Sequence, residues 1–273
     1  MKKLLAIATL TTMASMPAFA GIGDYIPSGL EFGVGLSGST GVNGFVGYAN
    51  KKAESFWCKR LGVRLDFAST APIKKTMNNA INNNIQDIEL GDDGIRIDGG
   101  SLKSKHFAAL IDIYPFGNTW FLGGWRLTGG YMFGDFNLQT NLTGKIDGLS
   151  DGKYAFVLDG KKYYYEGNSV HGTADMKWKF NGPYAGTGFD IGLFRGFKMY
   201  LDTGVVFTSK AAEIGLNVPF TNLHKENGDP VEGNAVLENV VNTAKANAIR
   251  EAQDELNKYK FFPMVKLGFM YRF

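Results

Sequence analysis

Cysteine is almost missing from this chain of 273 residues: Cys58 stands alone. A secreted fold stapled by disulfides is thereby excluded, and Cys58 reads as a structural thiol. Long apolar runs are missing too. Beyond the first twenty residues, no stretch approaches the length a membrane-spanning helix needs. Charge of one sign is not in excess, and a net +3 gives no footing for nucleic acid or a strongly acidic partner. Histidine is scarce, with only 3 residues, and no metal-ligand spacing, phosphate-cradling glycine loop or nucleophile elbow appears. No cofactor and no metal are expected.

The N-terminus carries an address. Lys2 and Lys3 form a charged start, Leu4 to Met16 an apolar core, and Ala18-Phe19-Ala20 a small-x-small cleavage site before Gly21. This pattern predicts a secretory signal peptide over 1–20 and a mature domain over 21–273. No Cys follows the site, which argues against a lipoprotein. An exported chain without a spanning helix crosses a membrane, if it does, with strands. The 36 glycines and 14% aromatics suit barrel strands, and a mean hydropathy of −0.12 is compatible with a polar lumen and polar loops.

The last stretch shows the pattern best. From Phe261 to Phe273, Val265, Leu267, Phe269, Tyr271 and Phe273 alternate with Lys266, Gly268, Met270 and Arg272. That two-residue period gives one apolar face and one polar or small face. A chain that stops on such a strand leaves a long apolar edge in a soluble sandwich, whereas a closed membrane barrel pairs the edge and gives the face to lipid. Phe269, Tyr271 and Phe273 also resemble the C-terminal assembly signal of Gram-negative outer-membrane barrels.

Similar alternation recurs along the chain. Leu30 to Ser37 reads as a strand. Val42 to Ala49 reads as a second, although 30–49 as one bent strand stays open. Leu61, Val63, Leu65 and Phe67 oppose Gly62, Arg64 and Asp66. Phe107 to Ile113, Trp125 to Phe133, Ala185 to Leu193 and Phe197 to Phe207 follow the same rule. Near Asp135 the parity of the apolar residues changes, predicting a bulge or an exit from the membrane. Short connections at 51–60, 116–121 and 194–196 alternate with long ones at 71–103, 140–180 and 209–260. The fold class expected is all-β: an antiparallel transmembrane barrel of about eight strands with long extracellular loops. Asp159-Gly160 marks a hairpin within the second loop. One helix, from about Val236 to Tyr259, is expected in the last loop, its stripe of Leu237, Val240, Val241, Ala244 and Ala248 facing its own barrel, a lipid surface or a partner. Tyr114, Phe116, Trp120, Phe121, Phe194 and Phe197 cluster near the turns as an interfacial girdle would.

The inward faces carry the chemistry. Acidic Glu31, Asp66, Asp112, Asp190 and Asp202 meet basic Arg64, Arg126, Lys198, Lys266 and Arg272. An eight-strand barrel has an interior just wide enough for side chains to fill, so these charges are expected to pair as a salt-bridged network. Packing the barrel shut is the favoured role, and a gated narrow conduit for small or hydrophobic solutes the alternative. A lipid- or peptide-hydrolysing barrel is a third class. Its only handle, Ser169 with His171 and nearby Glu166, consists of sequence neighbours in a loop rather than a catalytic constellation. Asp92, Asp93 and Asp98 lack calcium-loop spacing and read as solvated loop residues.

The segments Phe107 to Phe116, Trp125 to Gly130, Pro183 to Phe189 and Glu251 through Phe273 resemble a family of small proteobacterial outer-membrane β-barrel proteins, OmpA- or OmpW-like and porin-like in architecture. The resemblance covers most of the chain from about Leu61, with a longer Asn-rich first loop here, and brings no catalytic residues. It implies the outer membrane of a Gram-negative bacterium. The partners expected are outer-membrane lipid and lipopolysaccharide, the barrel-assembly machinery and periplasmic chaperones, and a surface ligand of unknown identity. With no domain after Phe273, a peptidoglycan tether is not expected.

Overall fold

A computed structural model describes residues 27–85, 88–90, 95–119, 122–145, 156–158, 160–165, 169–220 and 223–273. The expected signal segment, with Ala18, Ala20 and Gly21, lies outside the described residues, as do Asp92, Asp93, Trp120, Phe121, Asp159 and Glu166.

In chain order the elements are β1 (Leu30–Ser37), β2 (Gly41–Tyr48), β3 (Leu61–Ser69), α1 (Lys74–Ile85), β4 (Ile88–Leu90), β5 (Ile95–Ile113), β6 (Trp125–Lys145), β7 (Phe156–Leu158), β8 (Lys161–Tyr165), β9 (Ser169–Phe194), β10 (Phe197–Phe207), β11 (Glu213–Asn217), β12 (Leu223–Lys225), α2 (Ala235–Leu256) and β13 (Phe261–Arg272). Eight strands close into an antiparallel barrel in the order β1-β2-β3-β5-β6-β9-β10-β13 and back to β1. Closure runs from Glu31 opposite Arg272 to Ser37 opposite Lys266. It is finished at the chain end, where Phe273 N–H donates to the Leu30 carbonyl at 3.0 Å and the Phe273 carbonyl accepts from Gly29 N–H at 2.8 Å.

Residues 30–49 hold two strands, not one. The turn that divides them ends at Gly41, with φ 86, where a Cβ would sit 2.7 Å from the Ser69 carbonyl oxygen, so only glycine fits.

The alternation sorts side chains as a lipid-facing barrel requires. Leu61, Val63, Leu65 and Phe67 are between 42% and 55% exposed on the outer wall, while Gly62, Arg64, Asp66 and Ala68 between them are buried. Phe107, Ile111, Tyr131, Phe133, Leu201, Val265 and Leu267 continue the exposed apolar surface around the circumference. In water so large an apolar wall is a liability, and against hydrocarbon it is the stable arrangement.

Three expectations change. First, the 71–103 stretch is not all loop: α1 occupies Lys74–Ile85, and β5 begins at Ile95. Polar side chains hold this helix to the wall. Asn78 accepts from Leu102 N–H at 3.2 Å, and Asn82, one turn on, from Gly100 N–H at 2.8 Å. Second, β6 and β9 run deep into the expected 140–180 loop and pair without interruption from Trp125–Phe189 to Lys145–Ser169. At about 3.3 Å per residue, strands of 21 and 26 residues far exceed an apolar band of about 25 Å. Beyond the band the outward positions turn polar and the inward ones mix Leu138 and Leu142 with Thr140 and Gly144, so period-two hydrophobicity weakens while the ladder continues. Third, no bulge explains the parity change at Phe136. The register of β6 with β9 stays in step, and Phe136 keeps the inward parity of Arg126 and Met132. It is the interior that turns apolar there.

The long connections build a small core of their own. β12, β8 and β7 form a three-stranded sheet, with Gly160 at φ 70 in the β7–β8 turn. Tyr163, Leu223, Val231 and Val241 are buried together there, with Leu237 and Ala248 of α2 packed against them. The α2 stripe therefore faces the loop sheet. Asn234 caps the helix, its side chain accepting from Val236 and Leu237 N–H, both at 3.2 Å. Gln253 ties it to the barrel rim, donating to the Ala212 carbonyl at 2.7 Å and accepting from Ile214 N–H at 3.1 Å.

Candidate functional site: a charged lumen under an aromatic plug

Strand order explains which charges can meet. Inward residues of neighbouring strands stand side by side, and in so narrow a barrel opposite walls also touch. Glu31, Arg64, Asp66, Asp112, Arg126, Asp190, Asp202 and Lys266 are all buried, and Arg272 is nearly so.

The network has three nodes. Toward the long-loop end, Lys266 Nζ lies 2.6 Å from Asp66 Oδ1, and His106 Nε2 is also 2.6 Å from that oxygen. His106 Nδ1 is 3.0 Å from the Thr40 hydroxyl. These contacts suit the tautomer protonated at Nε2, with Thr40 donating to Nδ1. Asn43 donates to the second Asp66 oxygen at 3.2 Å and accepts from Tyr200 O–H at 2.6 Å. In the middle, Arg64 spans the lumen from β3: its Nε is 2.6 Å from Asp112 Oδ2, and its Nη1 is 3.0 Å from Asp202 Oδ2 on β10. Thr128 O–H donates to Asp112 at 2.6 Å. Arg126 binds Asp202 as well, and reaches Asp190 with its other terminal nitrogen. At the short-turn end, Arg272 binds Glu31, lies 3.1 Å from Asp190 and donates to the Tyr114 hydroxyl oxygen at 3.1 Å. Every one of the eight barrel strands contributes a side chain.

Nine of the ten charges expected inside are thus brought together. Lys198 keeps inward parity but is held by no salt bridge among the described residues. It lines a cavity of about 400 Å³ at the short-turn end with Lys51, Arg195 and Arg272. Lys51, in the β2–β3 turn, sits 3.6 Å over the Tyr114 ring and donates to the Gly123 carbonyl. Burial, with the Arg272 and Lys198 charges next, pushes its amine down to about 6. Tyr114 was expected in the aromatic girdle and is instead buried inside, 1% exposed, because its even parity turns it inward. Phe116 and Phe194 remain exposed at that end, joined by Phe56 and Trp57 from the first turn.

Above the charges lies a layer that alternation alone did not reveal. Met132, Phe180, Tyr184, Val206, Phe262 and Met264 are buried together, with Phe136 and Trp178 against them. Phe262 is the hub: stacked on Phe180 at 4.4 Å, edge-on to Trp178 at 5.3 Å and to Phe136 at 5.6 Å. The lumen is therefore filled twice, by ion pairs and then by rings. The signal was present as inward-parity aromatics beyond Asp135, which a search for charges passes over.

The other reactive candidates stand at other places in the fold. Ser169 and His171 stand in the far part of β9, opposite Lys145 and Thr143. His224 stacks on Tyr164 at 5.3 Å in the loop sheet. Cys58 is exposed in the first short turn. Among the described residues no helix is long and apolar enough to cross a membrane, which says nothing of a β-barrel.

The chain matches no protein-family model and no curated protein by sequence. Its likeness is to solved structures. CarO of Acinetobacter baumannii superimposes with a TM-score of 0.56 at 14% identity, covering 91% of this chain and 99% of CarO. CarO2 from the same organism gives 0.55 at 14% identity, covering 90% and 99%. A major outer membrane protein of Thermus thermophilus matches at 0.40 and 14% identity, covering 89% of this chain and 97% of that one, too loosely to argue from. At these identities the likeness shows one thing, the fold: this chain is a closed, antiparallel eight-strand β-barrel similar to CarO across nearly the whole length of both.

Proposed function

We propose that this protein is an integral outer-membrane barrel of a Gram-negative bacterium, small and broadly OmpA- or OmpW-like. It acts as a closed, non-enzymatic anchor that presents its long loops to the outside. The observation that carries this reading is the filled interior, in which side chains from all eight strands are tied by ion pairs and hydrogen bonds beneath an aromatic plug. A conduit for polar solutes needs a continuous polar path and one for hydrophobic solutes an open one, and Phe262 with its ring partners fills the interior against both. The short turns then face the periplasm, and the sheet-and-helix cap of the loops is the surface a ligand meets. Purified protein in planar bilayers is expected to show no steady single-channel current. Reproducible currents would overturn the closed-barrel reading in favour of a narrow channel.

Residues 1–20 act in this reading as the export signal. Phe269, Tyr271 and Phe273 mark the chain for periplasmic chaperones and the barrel-assembly machinery. Phe273 supports that role by closing β13 on β1 and by standing edge-on to Phe32 at 6.2 Å and Tyr271 at 4.7 Å. Deleting Phe273 is expected to reduce the membrane-inserted fraction several-fold, read by heat-modifiable gel mobility. Normal insertion would remove Phe273 from the signal.

A further inference from the structure

The outer wall of β5, β6 and β9 carries a basic patch where the apolar surface ends. Cross-strand register builds it row by row. Phe107 pairs with Phe133, their rings 5.4 Å apart, and both are exposed. The next outward row toward the loops is Lys105, Asp135 and Lys179, and the one beyond is Lys103, Asn137 and Lys177. On these three strands two rows thus hold four lysines and Asp135, while Glu213 of β11 stands opposite Lys177 and Asp175 lies 3.6 Å from its ammonium group, in a chain whose net charge is only +3. Lys105 lies 3.5 Å from Asp135 yet its side chain stays 72% exposed, so the pair does not quench the patch.

Shape supports charge. A groove of about 570 Å³ runs between the Lys103, Lys105, Lys177 and Lys179 side chains, with Lys74 of α1 at its margin. A second, of about 600 Å³, joins Lys105 and Lys179 to the Phe107 and Phe133 rings below. One surface therefore offers ammonium groups above and aromatic rings beneath, the arrangement that suits a phosphorylated head group with acyl chains attached.

Resting on the outer-membrane reading above, we propose that Lys103, Lys105, Lys177 and Lys179 form a binding site for a membrane saccharolipid carrying phosphates, the lipid A part of lipopolysaccharide, with its acyl chains on Phe107 and Phe133. A free anion would use the ammonium groups alone. Continuity with the ring pair commits the site to a lipid. Spreading over two rows and two strands, the lysines suit a head group with more than one phosphate.

Native mass spectrometry of the purified barrel with defined ligands tests this. Bisphosphorylated lipid A is expected to remain bound to wild type, while dephosphorylated lipid A binds at least about tenfold more weakly. The K103Q/K105Q/K177Q/K179Q protein should lose at least about tenfold in affinity for the bisphosphorylated form. K245Q/K258Q on α2 and the turn after it should retain wild-type affinity. Equal binding by the four-lysine variant, equal binding of dephosphorylated lipid A, or complete displacement by millimolar inorganic phosphate would each overturn the site. Because the changed side chains lie on the outer surface, heat-modifiable mobility should show all variants folded. If the lysine variant alone fails to fold, lysine-selective acetylation of folded wild type replaces it and should abolish binding, retained binding counting against the site. Membrane fractionation separates the two readings. A chain in the outer membrane that ignores lipid A loses only this site, and a chain elsewhere loses the outer-membrane reading itself.

Discussion

Replacing Asp202 with alanine is expected to lower the unfolding free energy of the detergent-solubilised barrel by about 3–5 kcal/mol. Asp202 is the carboxylate shared by Arg64 and Arg126, which reach it from β3 and β6 while it stands on β10. Removing it leaves two buried guanidiniums short of a counter-charge, with the lumen too full to admit compensating water easily. Arg64 retains Asp112 and Arg126 retains Asp190, which keeps the loss finite. Asp202→Asn, which preserves one acceptor oxygen and the volume, should cost less than Asp202→Ala. Urea titration followed by tryptophan fluorescence reads the difference. A loss below about 1 kcal/mol, the scale of an exposed ion pair, would show that the network is solvated and the lumen open.

Gly188→Ala should destabilise the barrel by about 1–3 kcal/mol, through overpacking rather than lost charge. A Cβ at Gly188 would overlap Asp202 Oδ1 and stand 3.1 Å from the Arg126 guanidinium carbon. Neither group can yield freely, because each is held by partners on other strands. Gly192→Ala on the same strand is the control, since a Cβ there meets nothing within 4 Å. Near-equal stabilities for the two alanine variants would mean that the Asp202–Arg126 contact is looser than the structure has it. Coupling between Gly188→Ala and Asp202→Ala should be strong, because deleting the carboxylate relieves the clash.

How much of this was legible beforehand follows from what hydrophobic periodicity measures. Alternation reports a difference in solvent between two faces of a strand. Where one face meets lipid and the other a charged lumen, as at Leu61 to Phe67, the strand and its orientation can be read residue by residue. Where the outward face turns polar and the inward face carries only scattered apolar residues, as at Leu138 and Leu142 of β6 and Met176 of β9, the ladder persists with a weak hydrophobic signature, and these stretches read as loop. Helix α1 was hidden for a related reason. Its grip on the wall is made by Asn78 and Asn82 to backbone amides, and an asparagine run reads as a loop.

The site divides in the same way. Parity alone, counted along each strand, named the inward charges and put Glu31 near Arg272 through the closing contact. It did not say that Arg64 would reach across to Asp202, since pairing between opposite walls depends on strand order, tilt and barrel radius. Nor did it gather Phe136, Trp178, Phe180 and Phe262 into one plug, because these come from strands whose stagger no local pattern encodes.

By itself, then, the sequence determined that strands of fixed facing would form a barrel of about eight, with charge inside and an apolar wall outside, because a period of two is a local property of the chain. Only the tertiary structure decided which charges pair, that the lumen is sealed by rings above the ions, and that Lys103, Lys105, Lys177 and Lys179 meet on one outer face. Those are consequences of register between strands distant in sequence, where one residue of slip would reverse every side chain.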